Sequence, residues 1–158
     1  MTHYSELKID NYFHIDRLGS KDINKVVGVG YGAYDTSGVN KWNITLESVT
    51  DKLQTEVLIS DSEYLENYGI YPIELTDELI LKYGFEKYES DVAVFYSKLS
   101  KNISGENYHR IINKDPMSYI DYSYGMTFRY LHQFQQYLFL TNQETFKITE
   151  IIISNKWG

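Results

Sequence analysis

The sequence contains no cysteine among its 158 residues, and this absence excludes several kinds of chemistry. Without thiols the chain can form no disulfide, no thiolate zinc or iron–sulfur site and no thiol nucleophile. Long apolar runs are also missing, since none approaches the ~20 residues that a membrane-spanning helix needs. The first residues lack the basic start and apolar run of a signal peptide. We therefore expect a cytoplasmic protein that does not contact a membrane.

Positive charge is scarce, with 15 lysines and arginines against 22 aspartates and glutamates, a net charge of −7. The basic residues are scattered, whereas binding to a nucleic-acid backbone needs them clustered. The sequence therefore predicts no direct nucleic-acid binding. An acidic surface suits a basic partner, such as a protein that handles nucleic acids. The same charge also serves solubility alone.

Motifs of catalysis and cofactor binding are absent or incomplete. The four histidines lack metal-ligand spacing, and neither G-x-S-x-G nor a P-loop occurs. Gly28, Gly30 and Ala33 fit G-x-G-x-x-A, but a turn rather than a helix is expected to follow them. His109 and Arg110 could touch a phosphate or carboxylate, although solvated strand residues are commoner. We predict no catalytic residue, no cofactor and no metal, and hence no enzyme.

The pattern that is present predicts a single α+β domain over residues 1–158. Short alternating runs and glycine-rich turns over residues 6–60 predict a bent antiparallel sheet that forms an N-terminal partial barrel. Residues 72–158 predict a helix, several strands, a second helix and a final strand over 146–153. The chain shows no linker or repeat between these parts.

Two short helices carry the clearest local signals. Thr76 is a good N-cap, and Gly84 supplies a left-handed stop for the helix that begins after it. Further along, Leu131 and Leu138 belong to an apolar stripe at helical spacing. This stripe predicts a helix over about 131–141.

Tyrosine is unusually frequent, with 16 residues. It combines apolar area with a hydrogen-bonding tip and is favoured at protein interfaces, although packing in half-buried strands explains many of them. Several lie among polar residues, namely Tyr31, Tyr34, Tyr64, Tyr68, Tyr119, Tyr122 and Tyr124. Two stretches, Tyr31–Tyr34 and Asp61–Tyr68, are predicted to form the contact surface. The residues that we predict to bind a partner are Tyr31, Tyr34, Asp61, Glu63, Tyr64, Glu66 and Tyr68.

Three segments resemble a known protein family. Residues 6–12 (ELKIDNY) resemble an ELRIGN start, and residues 72–85 (PIELTDELILKYGF) resemble PIPLTEEWLLKFGF. Residues 130–142 (YLHQFQQYLFLTN) resemble YLHQLQNLYFALTG. Their order and spacing agree over nearly the whole chain. The pattern belongs to a family of small, largely uncharacterised proteins frequent in Bacteroidetes genomes, prophages and mobile elements.

The resemblance carries no catalytic residue but implies a genomic setting. Small acidic proteins of prophages often bind and disable host defence proteins, including CRISPR effectors. The function implied is therefore that of an inhibitor that binds a CRISPR RNA-guided nuclease with its guide RNA, an anti-CRISPR. Two alternatives stay open: a nucleic-acid-binding accessory module of a mobile element, and a small-ligand-binding or hydrolase domain.

Overall fold

A computed structural model of the chain describes residues 1–17, 20–34, 40–60, 62–101 and 104–142. These residues form ten strands in two antiparallel sheets and two α-helices, which confirms the predicted α+β class. They fall into two compact units, Met1–Ile73 and the residues from Glu74 onward. The final strand predicted over 146–153 lies outside the described residues.

The first unit contains one five-stranded sheet. Its strands are β1 (Tyr12–Arg17), β2 (Ser20–Tyr34), β3 (Asn40–Ser48), β4 (Gln54–Ile59) and β5 (Ile70–Pro72). They lie in the order β4-β3-β2-β1-β5, with short 3-10 helices at Tyr4–Glu6 and Leu65–Tyr68. The edge strands β4 and β5 do not pair with each other, so the sheet is open and is not closed into a barrel.

Two register shifts interrupt the pairing of β2, in its glycine-containing part. The pairing of β2 with β3 shifts register between Val26 and Gly28 and again between Tyr31 and Ala33, and bulges bend and twist a strand. Gly28 and Ala33 both lie inside β2, so the described residues of this segment form a strand where a dinucleotide-binding fingerprint needs a helix to begin.

The core of the first unit is largely aliphatic. Period-two alternation along β1, β2 and β3 directs apolar side chains to one face of the sheet. The 3-10 helix at Leu65–Tyr68 adds Leu65 to the same cluster. Its buried members are Leu7, Phe13, Ile15, Val26, Ile44, Leu46, Ile59, Leu65 and Ile70.

The second unit contains both α-helices and the other sheet. Its elements are α1 (Asp77–Lys82), β6 (Glu86–Glu89), β7 (Val94–Lys101), β8 (Asn107–Asp115), β9 (Ser118–Asp121), β10 (Met126–Phe128) and α2 (Leu131–Asn142). The strands lie in the order β10-β9-β8-β7-β6. Each strand pairs with its neighbour in the chain, so the sheet is a simple antiparallel meander.

Both helices form where the local signals predicted them. The Thr76 side chain accepts a hydrogen bond from the Leu79 amide at 3.3 Å, which confirms it as the N-cap of α1. Gly84 has φ +90°, the left-handed conformation expected of a helix stop. In α2 the apolar stripe is buried, including Leu131 and Leu138. The caps are local and the stripe is periodic, which is why sequence reasoning found them.

Candidate functional site

The first predicted stretch lies at the end of β2. Tyr31 is 57 % exposed, and its ring centroid lies 4.9 Å from that of Trp42 on β3. Tyr34 is the last residue of β2, and its side chain lies outside the described part. Much of the Tyr31 ring is therefore accessible to a partner, while part of it contacts Trp42.

In the second predicted stretch, Glu63 is bound within the fold. Its Oε2 accepts hydrogen bonds from the Ser60 amide at 3.0 Å, the Ser60 hydroxyl at 2.6 Å and the Tyr68 hydroxyl. These bonds, led by that of the Ser60 side chain, lower the pKa of Glu63 to about 2. Burial and the same carboxylate raise the pKa of Tyr68 to about 12. Glu63 and Tyr68 thus close the loop that precedes the second 3-10 helix.

Glu66 and Tyr64 hold the N-terminal residues. Both carboxylate oxygens of Glu66 accept from the Thr2 amide, at 2.7 and 3.0 Å. Tyr64 pairs with His3 in an isolated β-bridge, and their rings make an edge-on contact. Asp61 lies outside the described residues. The structure thus gives internal contacts to the four described members of this stretch.

A second tyrosine-bearing feature lies in the other unit, at the turn between β9 and β10. We name residues 121–125 (Asp-Tyr-Ser-Tyr-Gly) the tyrosine turn. Asp121 is buried, and its Oδ1 accepts from the amides of Ser123 at 2.8 Å and Tyr124 at 3.3 Å. Gly125 has φ +63°, which permits the chain to re-enter β10. The carboxylate therefore fixes the backbone of the turn.

The turn is also anchored to α2. The Tyr137 hydroxyl donates to Asp121 Oδ2 at 2.5 Å, and the Tyr137 and Tyr124 rings make an edge-on contact. Burial and the bond to Asp121 raise the pKa of Tyr137, so its hydroxyl remains a donor. A hydrogen bond with Tyr108 and partial burial raise the pKa of Tyr124.

Two aromatic side chains project from this fixed frame. Tyr122 is 70 % exposed and Tyr124 is 46 % exposed. A tyrosine on a rigid turn loses little conformational entropy when it is buried by a partner, which makes it a good interface anchor. The sequence signal was an Asx-turn aspartate followed by Tyr-Ser-Tyr-Gly. Sequence reasoning found Tyr122 and Tyr124 among polar residues but did not predict that they bind a partner, because nothing local shows that Asp121 is buried and bonded to Tyr137.

A polar cleft of about 280 Å³ also lies in the second unit. Lys114, Tyr119 and Arg129 line it, together with Glu74. Both cations have partners: Lys114 Nζ lies 2.7 Å from Asp77 Oδ1, and Arg129 Nη2 lies 3.5 Å from Glu74 Oε1. The charges that line the cleft therefore largely cancel.

Asp77 is the first residue of α1, and its carboxylate pairs with Lys114, which lines this cleft. Partial burial would raise the pKa of Asp77, but the hydrogen bonds from Lys114 and Tyr119 outweigh it and hold the pKa at about 2. The Tyr119 hydroxyl donates to Asp77 at 2.6 Å, and burial together with Asp77 raises its pKa. An ionised Asp77 and a protonated Tyr119 form a stable structural pair, without the poised pKa values of an acid–base pair.

Within the described ranges, no group of three or more histidines and carboxylates is placed to hold a metal ion. In the same ranges, neither helix has the length and apolar character needed to cross a bilayer. No protein-family model, curated protein or solved structure matches the chain. Its function must therefore be inferred from the geometry and charge of the chain itself.

Proposed function

We propose that this chain is a noncatalytic protein that binds and inhibits a host defence protein, and that it does so through the tyrosine turn. The tyrosine turn is proposed as the binding surface because it combines two exposed tyrosines with a buried carboxylate beneath them. Asp121 holds the turn through two amides and one hydroxyl. Such preorganisation lowers the entropic cost of binding.

The partner class follows from charge. The chain carries a net charge of −7, and an acidic protein associates fastest with a basic one. Enzymes that handle nucleic acids present basic grooves, so a CRISPR RNA-guided nuclease loaded with its guide RNA is the partner that we propose. The resemblance to prophage proteins supports the same target, and binding would then take place in the bacterial cytoplasm.

The experiment measures binding of the purified protein to guide-loaded nucleases and the inhibition of target cleavage. A double variant, Tyr122→Ala with Tyr124→Ala, should lower the affinity at least about tenfold, since each interface tyrosine contributes roughly 1–2 kcal/mol. Tyr88→Ala is the matched control, because Tyr88 is 45 % exposed in the same unit and lies on the edge strand β6. Its affinity should stay within about twofold of the parent.

The outcomes distinguish a wrong partner class from a wrong contact surface. If no guide-loaded nuclease binds, the proposed partner class is wrong. If a nuclease binds and the double variant binds equally well, the tyrosine turn is not the contact. Tyr31→Ala then tests the exposed tyrosine of the first predicted stretch, which lies against Trp42 in the first unit.

The cleft supports a second candidate, a small-ligand-binding domain. Because Lys114 and Arg129 are paired with Asp77 and Glu74, its lining favours a neutral or zwitterionic ligand. Thermal-shift screening of such compounds would detect it. A stabilisation that Arg129→Gln abolishes, with no nuclease bound, would favour this function over the first. Salt-sensitive binding to DNA or RNA would favour the nucleic-acid accessory module instead.

A further inference from the structure

The inner face of the second sheet carries two cations directly opposite each other. The register of β7 with β8 pairs Lys98 with Arg110, and the neighbouring pair on the same face is Ser100 with Tyr108. Like charges in directly opposed positions repel each other. Both side chains therefore need compensation from elsewhere in the unit.

Lys98 has such compensation. Its Nζ donates to the Tyr83 carbonyl at 3.1 Å, at the C-terminal end of α1, where a positive charge is favourable. The same ammonium lies 4.4 Å from the centre of the Tyr83 ring and 5.8 Å from that of Phe85. The positive charge of Lys98 is thus compensated by the C-terminal end of α1.

Arg110 is different, because only 1 % of its surface is exposed and its hydrogen bond and ring contact within the described residues are with neutral groups. Its Nη2 donates to the Tyr108 hydroxyl at 3.1 Å, and its guanidinium carbon lies 5.0 Å from the centre of the Tyr137 ring. Nε and Nη1 are buried without a hydrogen-bond partner. A buried guanidinium with two unmet donors is costly unless an acceptor is supplied.

The carboxylate of the tyrosine turn does not supply that acceptor. Asp121 already accepts from Tyr137 at one oxygen and from the turn amides at the other. Among the described residues, the ion pairs include none between Arg110 and a carboxylate. Asp121 therefore leaves the Nε and Nη1 groups of Arg110 without a hydrogen-bond acceptor.

A further polar group on the same face also lacks a partner. The Ser100 hydroxyl is buried and makes no hydrogen bond. Ser100 pairs with Tyr108 and so lies diagonally across from Arg110, within the reach of neighbouring cross-strand side chains. A hydroxyl and a guanidinium that lie at neighbouring positions of one sheet face are the kind of donors that an oxyanion takes.

We propose that Arg110 and Ser100 form a binding site for a small oxyanion, a carboxylate or phosphate group, beneath the tyrosine turn. The anion accepts from Arg110 Nε and Nη1 and from the Ser100 hydroxyl. The site is independent of the proposed partner. Because Arg110 is covered in this structure, an anion that enters must first displace the groups that cover it.

The test follows the Nε–H signal of Arg110 by NMR in the ¹⁵N-labelled protein, assigned through its loss in Arg110→Gln. Inorganic phosphate and acetate are titrated separately, with sodium chloride at matched ionic strength as the control. We expect a saturable shift with phosphate or acetate and none with chloride, and the stronger of the two identifies the group. Ser100→Ala should weaken that affinity severalfold, whereas Arg129→Gln, which removes an exposed arginine, should not.

Two results would overturn the site. One is a signal that responds to phosphate and acetate no more than to chloride. The other is a shift that fails to saturate with phosphate and with acetate, since a bound anion must reach a limit. An unchanged affinity in Ser100→Ala would remove Ser100 from the site. Because the wild-type protein carries the main measurement, a misfolded Arg110→Gln protein does not spoil the test.

Discussion

The first unit buries mostly aliphatic side chains, whereas the second buries aromatic rings together with charged groups. Around Ile44 and Leu46 the core of the first unit consists of hydrocarbon, and the buried polar residues described there are uncharged. In the second unit Arg110, Asp121 and His132 are buried among tyrosines and phenylalanines. A hydrocarbon core depends on filled volume, while a polar core depends on satisfied donors and acceptors. A polar core such as that of the second unit can therefore offer unpaired donors or acceptors to a ligand.

The largest effect should come from removing volume in the first unit. Ile44 is completely buried, so Ile44→Ala should lower the free energy of unfolding by about 3 kcal/mol, through lost burial and the cavity left behind. Urea denaturation measures the change. Ile111→Ala is the control, because Ile111 is an exposed residue on β8 and its loss should cost little. Equal losses in the two variants would contradict the volume-dependent core.

The next effect tests the second unit without changing its volume. Tyr137→Phe removes only the hydroxyl that donates to Asp121, and leaves a buried carboxylate with one donor fewer. We expect a loss of about 2 kcal/mol, the usual contribution of a hydrogen bond to a charged group. Tyr88→Phe is the matched control, since its hydroxyl bonds to Glu86 at the surface. If both variants unfold alike, the polar core of the second unit does not depend on this bond.

Each unit also contains one carboxylate whose pKa lies at about 2, Glu63 in the first and Asp77 in the second. A lowered pKa stabilises the folded state above the unfolded value, and that contribution is lost as the pH falls through the folded value. The windows run down from 4.5 for Glu63 and from 3.8 for Asp77, to about 2 in both cases.

Glu63→Gln and Asp77→Asn should therefore each lower the thermal midpoint at neutral pH and flatten its decline in that acid window. The flattening follows because the variant no longer has the proton uptake that destabilises the parent. Glu56→Gln, an exposed carboxylate of β4, controls for the loss of one negative charge. Midpoint curves of the variants that run parallel to the parent through the window would show that these bonds do not link stability to pH.

Sequence reasoning succeeded where a local or periodic signal decides the structure. Thr76 marks the start of α1 and Gly84 follows its end, so both signals lie next to the helix that they delimit. The apolar stripe of α2 repeats at helical spacing. It failed at Arg110, because the run Tyr-His-Arg-Ile-Ile reads alike for a solvated and a buried strand face. Its burial depends on Tyr137, which lies far along the chain. Glu63, which the sequence predicted to bind a partner, is instead bonded to Ser60 and Tyr68, and although both are close in the chain, residue types alone do not fix the side-chain geometry of those bonds.

The smallest effect concerns two glycines of β2 that look alike in the sequence. A Cβ on Gly28 would lie 3.2 Å from Thr45 Oγ1, whereas a Cβ on Gly30 would meet nothing within 4 Å. Gly28→Ala should therefore cost about 1 kcal/mol by overpacking. Gly30→Ala should stabilise the protein by about 0.5 kcal/mol, because alanine restricts the unfolded chain.

A double-mutant cycle with Thr45→Ala, measured by urea denaturation, tests whether the stability lost in Gly28→Ala comes from contact with Thr45 Oγ1. If Thr45 Oγ1 is the obstacle, Gly28→Ala should cost less in the Thr45→Ala protein than in the parent, and Gly30→Ala should show no such coupling. Additive effects at Gly28 would mean that the obstacle is Thr45 Cβ, which would lie 3.3 Å from the added Cβ and which Thr45→Ala retains.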